Sequence, residues 1–160
     1  MKHTRHHTLL YIMALAVITV NAIVSCATDT VYDTYGHTPL SGWEKNDTLS
    51  FYVTKMAAPG TYTEELGVRM TEAFPFTSVS LIFQQTVLPA GKVYTDTVKC
   101  TITDSRGNFL GDGVSAYQYS FPVRNIQLNK GDSLHITVRH NMKREILPGI
   151  SDVGVKISLR

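Results

Sequence analysis

The chain has 160 residues, with 15 lysines and arginines against 13 aspartates and glutamates, for a formal charge of +2 at neutral pH. Lys2 and Arg5 supply that excess, so from residue 26 onward the chain is formally neutral. It lacks the clustered basic footprint that a phosphate backbone selects, and no nucleic-acid partner is expected.

Residues 1–25 read as an export signal. Lys2 and Arg5 give it a positive start, and residues 9–20 form an apolar run shorter than the ~20 residues of a spanning helix. Ile23-Val24-Ser25-Cys26 follows: aliphatic, tolerant, small, cysteine. This order resembles the lipobox of bacterial lipoproteins, and the resemblance implies cleavage between Ser25 and Cys26 with acylation (palmitate among the chains) on Cys26. The place of Cys26 just behind the apolar run favours this over a general signal-peptidase site or an uncleaved anchor. Two or three acyl chains hold a protein on a bilayer effectively permanently, where one holds it weakly. The bilayer is then a partner through Cys26. Lipidation also removes that thiol from disulfide chemistry, so stability must come from the core.

About 135 residues remain, the size of one domain. Residues 26–42 are polar, turn-rich and aperiodic, and are expected to be a lipidated N-terminus and flexible tether that docks at most through Tyr32 and Tyr35. Residues 43–160 are expected to form a single domain. There apolar residues recur with period two: Leu49/Phe51/Val53, Leu66/Val68/Met70, Val79/Leu81/Phe83, Tyr117/Tyr119/Phe121/Val123, Leu134/Ile136/Val138 and Val153/Val155/Ile157/Leu159. That is the pattern of strands with one buried face. Turn clusters such as Ala58-Pro59-Gly60, Pro89-Ala90-Gly91 and Asn129-Lys130-Gly131-Asp132 punctuate them at short intervals, which favours antiparallel links. The expected fold is therefore all-β, an antiparallel β-sandwich of about seven to eight strands. At most one short helix is expected, near residues 139–147, where Met142 and Ile146 stand four apart ahead of Pro148-Gly149.

Few residues offer chemistry. Cys100 shares its face with Val98 and Ile102, the pattern of a buried, inert thiol. His37, His135 and His140 have no metal-ligand spacing and are expected on surfaces or loops. Asp104-Ser105-Arg106-Gly107-Asn108 has the outline of a calcium loop, but Arg106 replaces a ligand oxygen and no glutamate closes it, so a hairpin turn is expected. Glu64, Glu65 and Glu72 are the candidate paired carboxylates of a glycosidase, yet adjacent Glu64 and Glu65 point to opposite faces of a strand. No Gly-x-Ser-x-Gly or phosphate loop is present. No catalytic residue, metal or cofactor is assigned, and no enzyme is expected. Trp43, Tyr52, Tyr62 and Tyr94 are candidate binding aromatics, with core packing the more ordinary role for most of them.

The order of segments adds to this. Tyr32-Asp33-Thr34-Tyr35, the stretch Trp43-Glu44-Lys45-Asn46-Asp47-Thr48-Leu49-Ser50-Phe51, and Phe74-Pro75-Phe76-Thr77-Ser78-Val79 come first. Thr95-Asp96-Thr97-Val98, Gly107-Asn108-Phe109-Leu110-Gly111-Asp112-Gly113 and Leu147-Pro148-Gly149-Ile150-Ser151-Asp152-Val153-Gly154 follow. Together behind a lipobox, they resemble the gliding-motility lipoproteins of the GldH type from Bacteroidetes, with Phe109 in place of a tryptophan and Lys143 between Met142 and Arg144. The resemblance implies an envelope lipoprotein associated with motility and secretion machinery, with other envelope proteins as partners and no catalytic residue. Cys26 is followed by Ala27-Thr28-Asp29-Thr30 and not by the acidic run of surface-exposed lipoproteins, which favours an outer-membrane domain facing the periplasm. Asp29-Thr30-Val31, Asp47-Thr48-Leu49, Asp96-Thr97-Val98 and Asp132-Ser133-Leu134 resemble O-glycosylation acceptors of exported Bacteroidetes proteins. The expected function is a non-catalytic structural or protein-interaction lipoprotein. The alternative is a glycan-binding module, with a hydrolase third.

Overall fold

The computed structural model describes residues 29–160; the signal segment, Ser25 and Cys26 lie outside the described residues. Eleven strands are formed and no helix among the described residues: β1 (Thr30–His37), β2 (Trp43–Glu44), β3 (Leu49–Val53), β4 (Gly60–Thr71), β5 (Ser78–Leu88), β6 (Lys92–Thr101), β7 (Asp112–Gly113), β8 (Ala116–Leu128), β9 (Ser133–His140), β10 (Ile146–Leu147) and β11 (Ile150–Leu159). All pairings are antiparallel. One sheet runs β1-β11-β4-β8-β7 and the other β3-β9-β5-β6, with a two-stranded ribbon of β10 and β2. Eight of the strands are five residues or longer, so the expected sandwich of seven to eight strands is the observed architecture.

The core is the sum of the inward positions. Leu66, Val68, Met70, Val153, Val155 and Ile157 from the five-stranded sheet meet Leu81, Phe83, Ile136 and Val138 from the other, all essentially without solvent contact. Burying each such side chain contributes about 1.5–3 kcal/mol, which is why period two dictates the fold. Trp43 is also fully buried, its Nε1 donating to the Asp47 carbonyl at 3.1 Å, so it belongs to the core and not to a binding face.

Three expectations change. Residues 30–37 are not tether: they form β1, paired with β11 from Thr30↔Ser158 to His37↔Asp152. As an edge strand β1 needs one neighbour only, and it covers Gly154 and Gly67 with the Tyr35 ring. A Cβ on either glycine would lie 2.3–2.7 Å from that ring or its hydroxyl. The Arg69 guanidinium lies over the same ring, 3.9 Å from its centroid.

Residues 139–147 are not a helix either. The alternation of β9 runs on to His140, and the chain then bends into β10, whose Leu147 is buried opposite Trp43. The pairing of β10 with β2 satisfies backbone groups that a single helical turn would leave open.

The phase of β8 also switches. Tyr119 faces in, but past Pro122 the inward residues are Ile126 and Leu128, because Glu64 pairs with Arg124 while Glu65 pairs with Pro122. Val123 is the extra residue of a β-bulge, the place where a central strand tolerates a proline lacking its N–H. The bulge swings Arg124 toward the open edge between the sheets.

Candidate functional site

Two ends of the sandwich and one buried polar cluster carry the functional candidates. β1 starts, and β11 ends, at the end that also holds the turns between β3 and β4, β5 and β6, and β8 and β9. We call this the proximal end. Asp29 is tied down there, its carbonyl accepting the Leu159 N–H at 2.7 Å. Cys26 is three residues upstream, a reach of no more than about 11 Å even fully extended.

The distal end is built from longer loops, and it exposes apolar side chains. Leu40 between β1 and β2 is fully exposed, Val114 between β7 and β8 is 88% exposed, and Leu110 is 57% exposed. Gly42 backs the first of these loops at φ +114°, where an added Cβ would meet Ile146 at 2.5 Å. Asp104 shapes the loop between β6 and β7 that carries Leu110. Its Oδ1 accepts the Arg106 and Asn108 backbone N–H groups at 2.8 and 2.9 Å, and its Oδ2 accepts Asn108 Nδ2. The Asn108 side chain leads in holding the Asp104 carboxyl below its ordinary value. Every oxygen of that carboxylate is thus used by its own turn, and a Thr103↔Phe109 bridge closes the loop as the expected hairpin.

The polar cluster lies inside the sandwich. Glu64 keeps the phase of Leu66, Val68 and Met70, and so faces the core, 1% exposed. Gln85 of the opposing sheet, fully buried, donates Nε2 to Glu64 Oε2 at 2.8 Å. Glu64 Oε1 and Gln85 Oε1 are both left without a partner. Nearby, Arg124 Nε lies 3.1 Å from Asp96 Oδ2, and its guanidinium and the Lys92 ammonium stack on the Tyr94 ring at 4.6 and 4.8 Å. Burial is the main cause that pushes the Glu64 carboxyl up to about 7. The Gln85 hydrogen bond and Arg124 pull it down, and Asp96 adds to the rise.

The other sequence-selected residues are scattered. Glu65 faces out, accepting from Ser120 Oγ at 2.7 Å, with Lys156 Nζ 4.0 Å away. Glu72 accepts from the Tyr117 hydroxyl at 3.2 Å. The three carboxylates therefore address no common point, which agrees with the opposite faces expected for Glu64 and Glu65. Cys100 is buried as expected, and desolvation pushes its thiol up to about 12. Of the histidines, His37 pairs with Asp152 at the end of β1, and His135 stacks flat under Tyr52 with centroids 4.5 Å apart. His140 departs from expectation. It is fully buried against Trp43, and desolvation lowers its pKa. Among the described residues no group of three or more His, Cys, Asp or Glu is placed to hold a metal ion.

Among the aromatics Tyr52 is 70% exposed, while Tyr62 is buried and donates its hydroxyl to the Ala58 carbonyl at 2.7 Å. In the acceptor-like triplets, Thr48 and Thr97 are exposed. A shallow groove of about 420 Å³ lies on the outer face of the five-stranded sheet around Tyr35, Arg69 and Glu65. Its polar groups largely satisfy one another: Arg69 Nε donates to Gln118 Oε1 at 3.0 Å, as Ser120 does to Glu65.

Fold and surface together define a β-sandwich domain that begins three residues after a lipobox-like cysteine and carries its most exposed aliphatic side chains, Leu40, Val114 and Leu110, at the opposite end. The chain belongs to the GldH lipoprotein family, whose profile matches residues 30–157. The gliding motility lipoprotein GldH homolog of Christiangramia forsetii is 23% identical over 150 residues, covering 88% of this chain and 91% of the relative. Among solved structures, CBM35 from Cellvibrio japonicus Abf62 overlaps 80% of this chain and 97% of its own, at 12% identity and a TM-score of 0.37. A family 35 carbohydrate binding module from Clostridium thermocellum overlaps 79% and 91%, at 15% identity and a TM-score of 0.39. Likeness at that level carries no argument about what this chain binds.

Proposed function

We propose that the chain is a membrane-anchored envelope lipoprotein with a non-catalytic, protein-interaction role, supporting the motility and secretion machinery with which GldH-type proteins are associated. The placement that suits it is the outer membrane, facing the periplasm, because Cys26 is followed by Ala27-Thr28-Asp29 and not by an acidic run. The observation that carries the reading is the polarity of the fold. Asp29, three residues after Cys26, is fixed at one end, and Leu40, Leu110 and Val114 stand exposed at the other. An exposed leucine at the tip of a loop gains nothing from folding, and it becomes favourable once a partner removes it from water. Separated carboxylates and a thiol held near 12 support a role without catalysis.

Photo-crosslinking in intact cells tests this. A crosslinkable residue in place of Leu40 or Val114 is expected to capture one reproducible envelope protein. The same residue in place of Thr97, exposed on the edge strand β6, is expected to capture little. Equal capture from all three positions, or none from any, contradicts a distal docking surface.

A second reading, glycan binding, rests on Tyr52, whose exposed ring lies flat on His135 in the manner of a stacking platform. Calorimetric titration with envelope glycans that loses its heat in Tyr52→Ala would favour it over the first.

A further inference from the structure

We infer that the proximal end of the sandwich rests on the bilayer and contacts anionic lipid headgroups through Lys55, Lys92 and Lys130. This rests on the acylation of Cys26 proposed above.

The first support is reach. With Asp29 fixed by Leu159 and Cys26 only three residues away, the acylated residue lies within about 11 Å of the folded domain. β4 spans the sandwich in twelve residues, a height of about 40 Å, so the distal loops cannot come down to the same surface while the domain stands on its anchor. The expected 17-residue tether would have left the domain free to turn; β1 removes that freedom by pairing along its whole length with β11.

The second support is which loops share that end. Leu88 pairs with Ser133, and Val53 pairs with Leu134, so the turns after β5, β3 and β8 lie side by side. The turns after β3 and β8 are also bonded together: Met56 N–H donates to the Asp132 carbonyl at 2.7 Å, and Gly131 N–H to the Met56 carbonyl at 2.9 Å. Each of these turns carries or adjoins one exposed lysine: Lys55, Lys92 at the start of β6, and Lys130.

The third support is chemistry. None of the three lysines forms an ion pair among the described residues. The turn between β5 and β6 puts an apolar tip beside Lys92, with Leu88 42% and Val93 51% exposed and Pro89-Ala90 between them. An apolar tip flanked by lysines suits the headgroup layer, where the chain contacts acyl carbon and the ammonium contacts phosphate. The distal loops carry no such excess: Asp47, Glu72, Asp104 and Glu145 balance Lys45, Arg106, Lys143 and Arg144. A lysine brought to an anionic surface strengthens contact about fivefold, so the proximal end with its three lysines is the one favoured there.

The test uses the full lipoprotein reconstituted in vesicles of phosphatidylethanolamine with phosphatidylglycerol, carrying a fluorophore at Ala90→Cys or Ser105→Cys and a headgroup-located quencher. The label at 90 is expected to be strongly quenched and the label at 105 hardly at all. The triple variant Lys55→Glu, Lys92→Glu, Lys130→Glu is expected to lower quenching at 90 several-fold while the protein still floats with the vesicles. In vesicles of phosphatidylcholine alone the same variant is expected to change nothing. Co-flotation with equal quenching at both positions, or quenching at 90 that ignores the three charge reversals, overturns this orientation and leaves the anchor intact. A wild-type protein that fails to float at all overturns the anchor itself.

Discussion

Replacing Glu64 with glutamine is expected to stabilise the protein at pH 8 by about 2–3 kcal/mol and to leave it nearly unchanged at pH 4. The reason is the pair of orphaned acceptors, Glu64 Oε1 and Gln85 Oε1, on two groups already joined through Gln85 Nε2. A proton on Glu64 Oε1 completes the two-bond pair that a carboxylic acid forms with a primary amide; an ionised carboxylate leaves both oxygens unsatisfied in the core. The amide of a glutamine at position 64 supplies that donor at every pH.

The sign follows from linkage. The Glu64 carboxyl titrates near its ordinary 4.5 when unfolded and near 7 when folded. Between those values the folded state holds a proton that the unfolded state has released, so stability falls as pH rises from 4.5 to 7 and is level above. The facing groups do not reverse this. Gln85 from β5 and Arg124 from β8 favour the ionised form, but Asp96 from β6 opposes it and desolvation outweighs both. His140 acts in the other direction. Its buried ring beside Trp43 has a lowered pKa, so its contribution is lost as pH falls below the ordinary 6.5. Chemical denaturation of wild type and Glu64→Gln across pH 4–9 separates the two limbs. A variant less stable than wild type at pH 8 would mean that Glu64 is an ionised partner of Arg124.

Gly149→Ala is expected to cost about 3–5 kcal/mol, although the position buries no side chain. Gly149 lies between β10 and β11 at φ +84°, and a Cβ there would stand 2.3 Å from the backbone N of Phe74 and 2.7 Å from the carbonyl carbon of Ala73. Neither is the free end of a side chain, so nothing can swing away. The Gly149 carbonyl also accepts the Thr71 N–H at 2.8 Å, fastening the end of β4 to the start of β11. Gly107 is the control. Its φ of +87° is similar, but nothing stands within 4 Å of its Cβ position, so Gly107→Ala is expected to cost about 1 kcal/mol, that of the backbone conformation alone. Equal losses in the two variants, measured by urea titration, would show that the contact with Phe74 is slack.

Alternation made most of this fold legible, because a strand with one buried face repeats every two residues and few other structures do. The same alternation extends to buried polar residues that the apolar pattern alone leaves out: Glu64 keeps step with Leu66, and His140 with Val138. Stopping the β9 pattern at Val138 is what placed His140 on the surface and started a helix at 139. Two features lay beyond simple periodicity. β1 is an edge strand that buries little, and its signal was only the density of Val31, Tyr32, Thr34 and Tyr35, residues that favour pleated surfaces. The β8 bulge reverses phase, and Pro122 within an otherwise regular strand was its single sequence mark. Arg124 could not be placed near Asp96 and Glu64 without it. The exposed distal loops follow from tertiary contacts, since nothing in Leu40 or Val114 themselves says that no strand covers them.

A lipid at Cys26 is expected to hold the domain, whose first fixed residue is Asp29. The most direct measurement is mass spectrometry of the N-terminal peptide from protein purified out of the membrane fraction. The expected result is a chain that starts at Cys26, with acyl mass on both its thiol and its amino group. A chain that starts elsewhere, or a Cys26 thiol free of lipid, would contradict it.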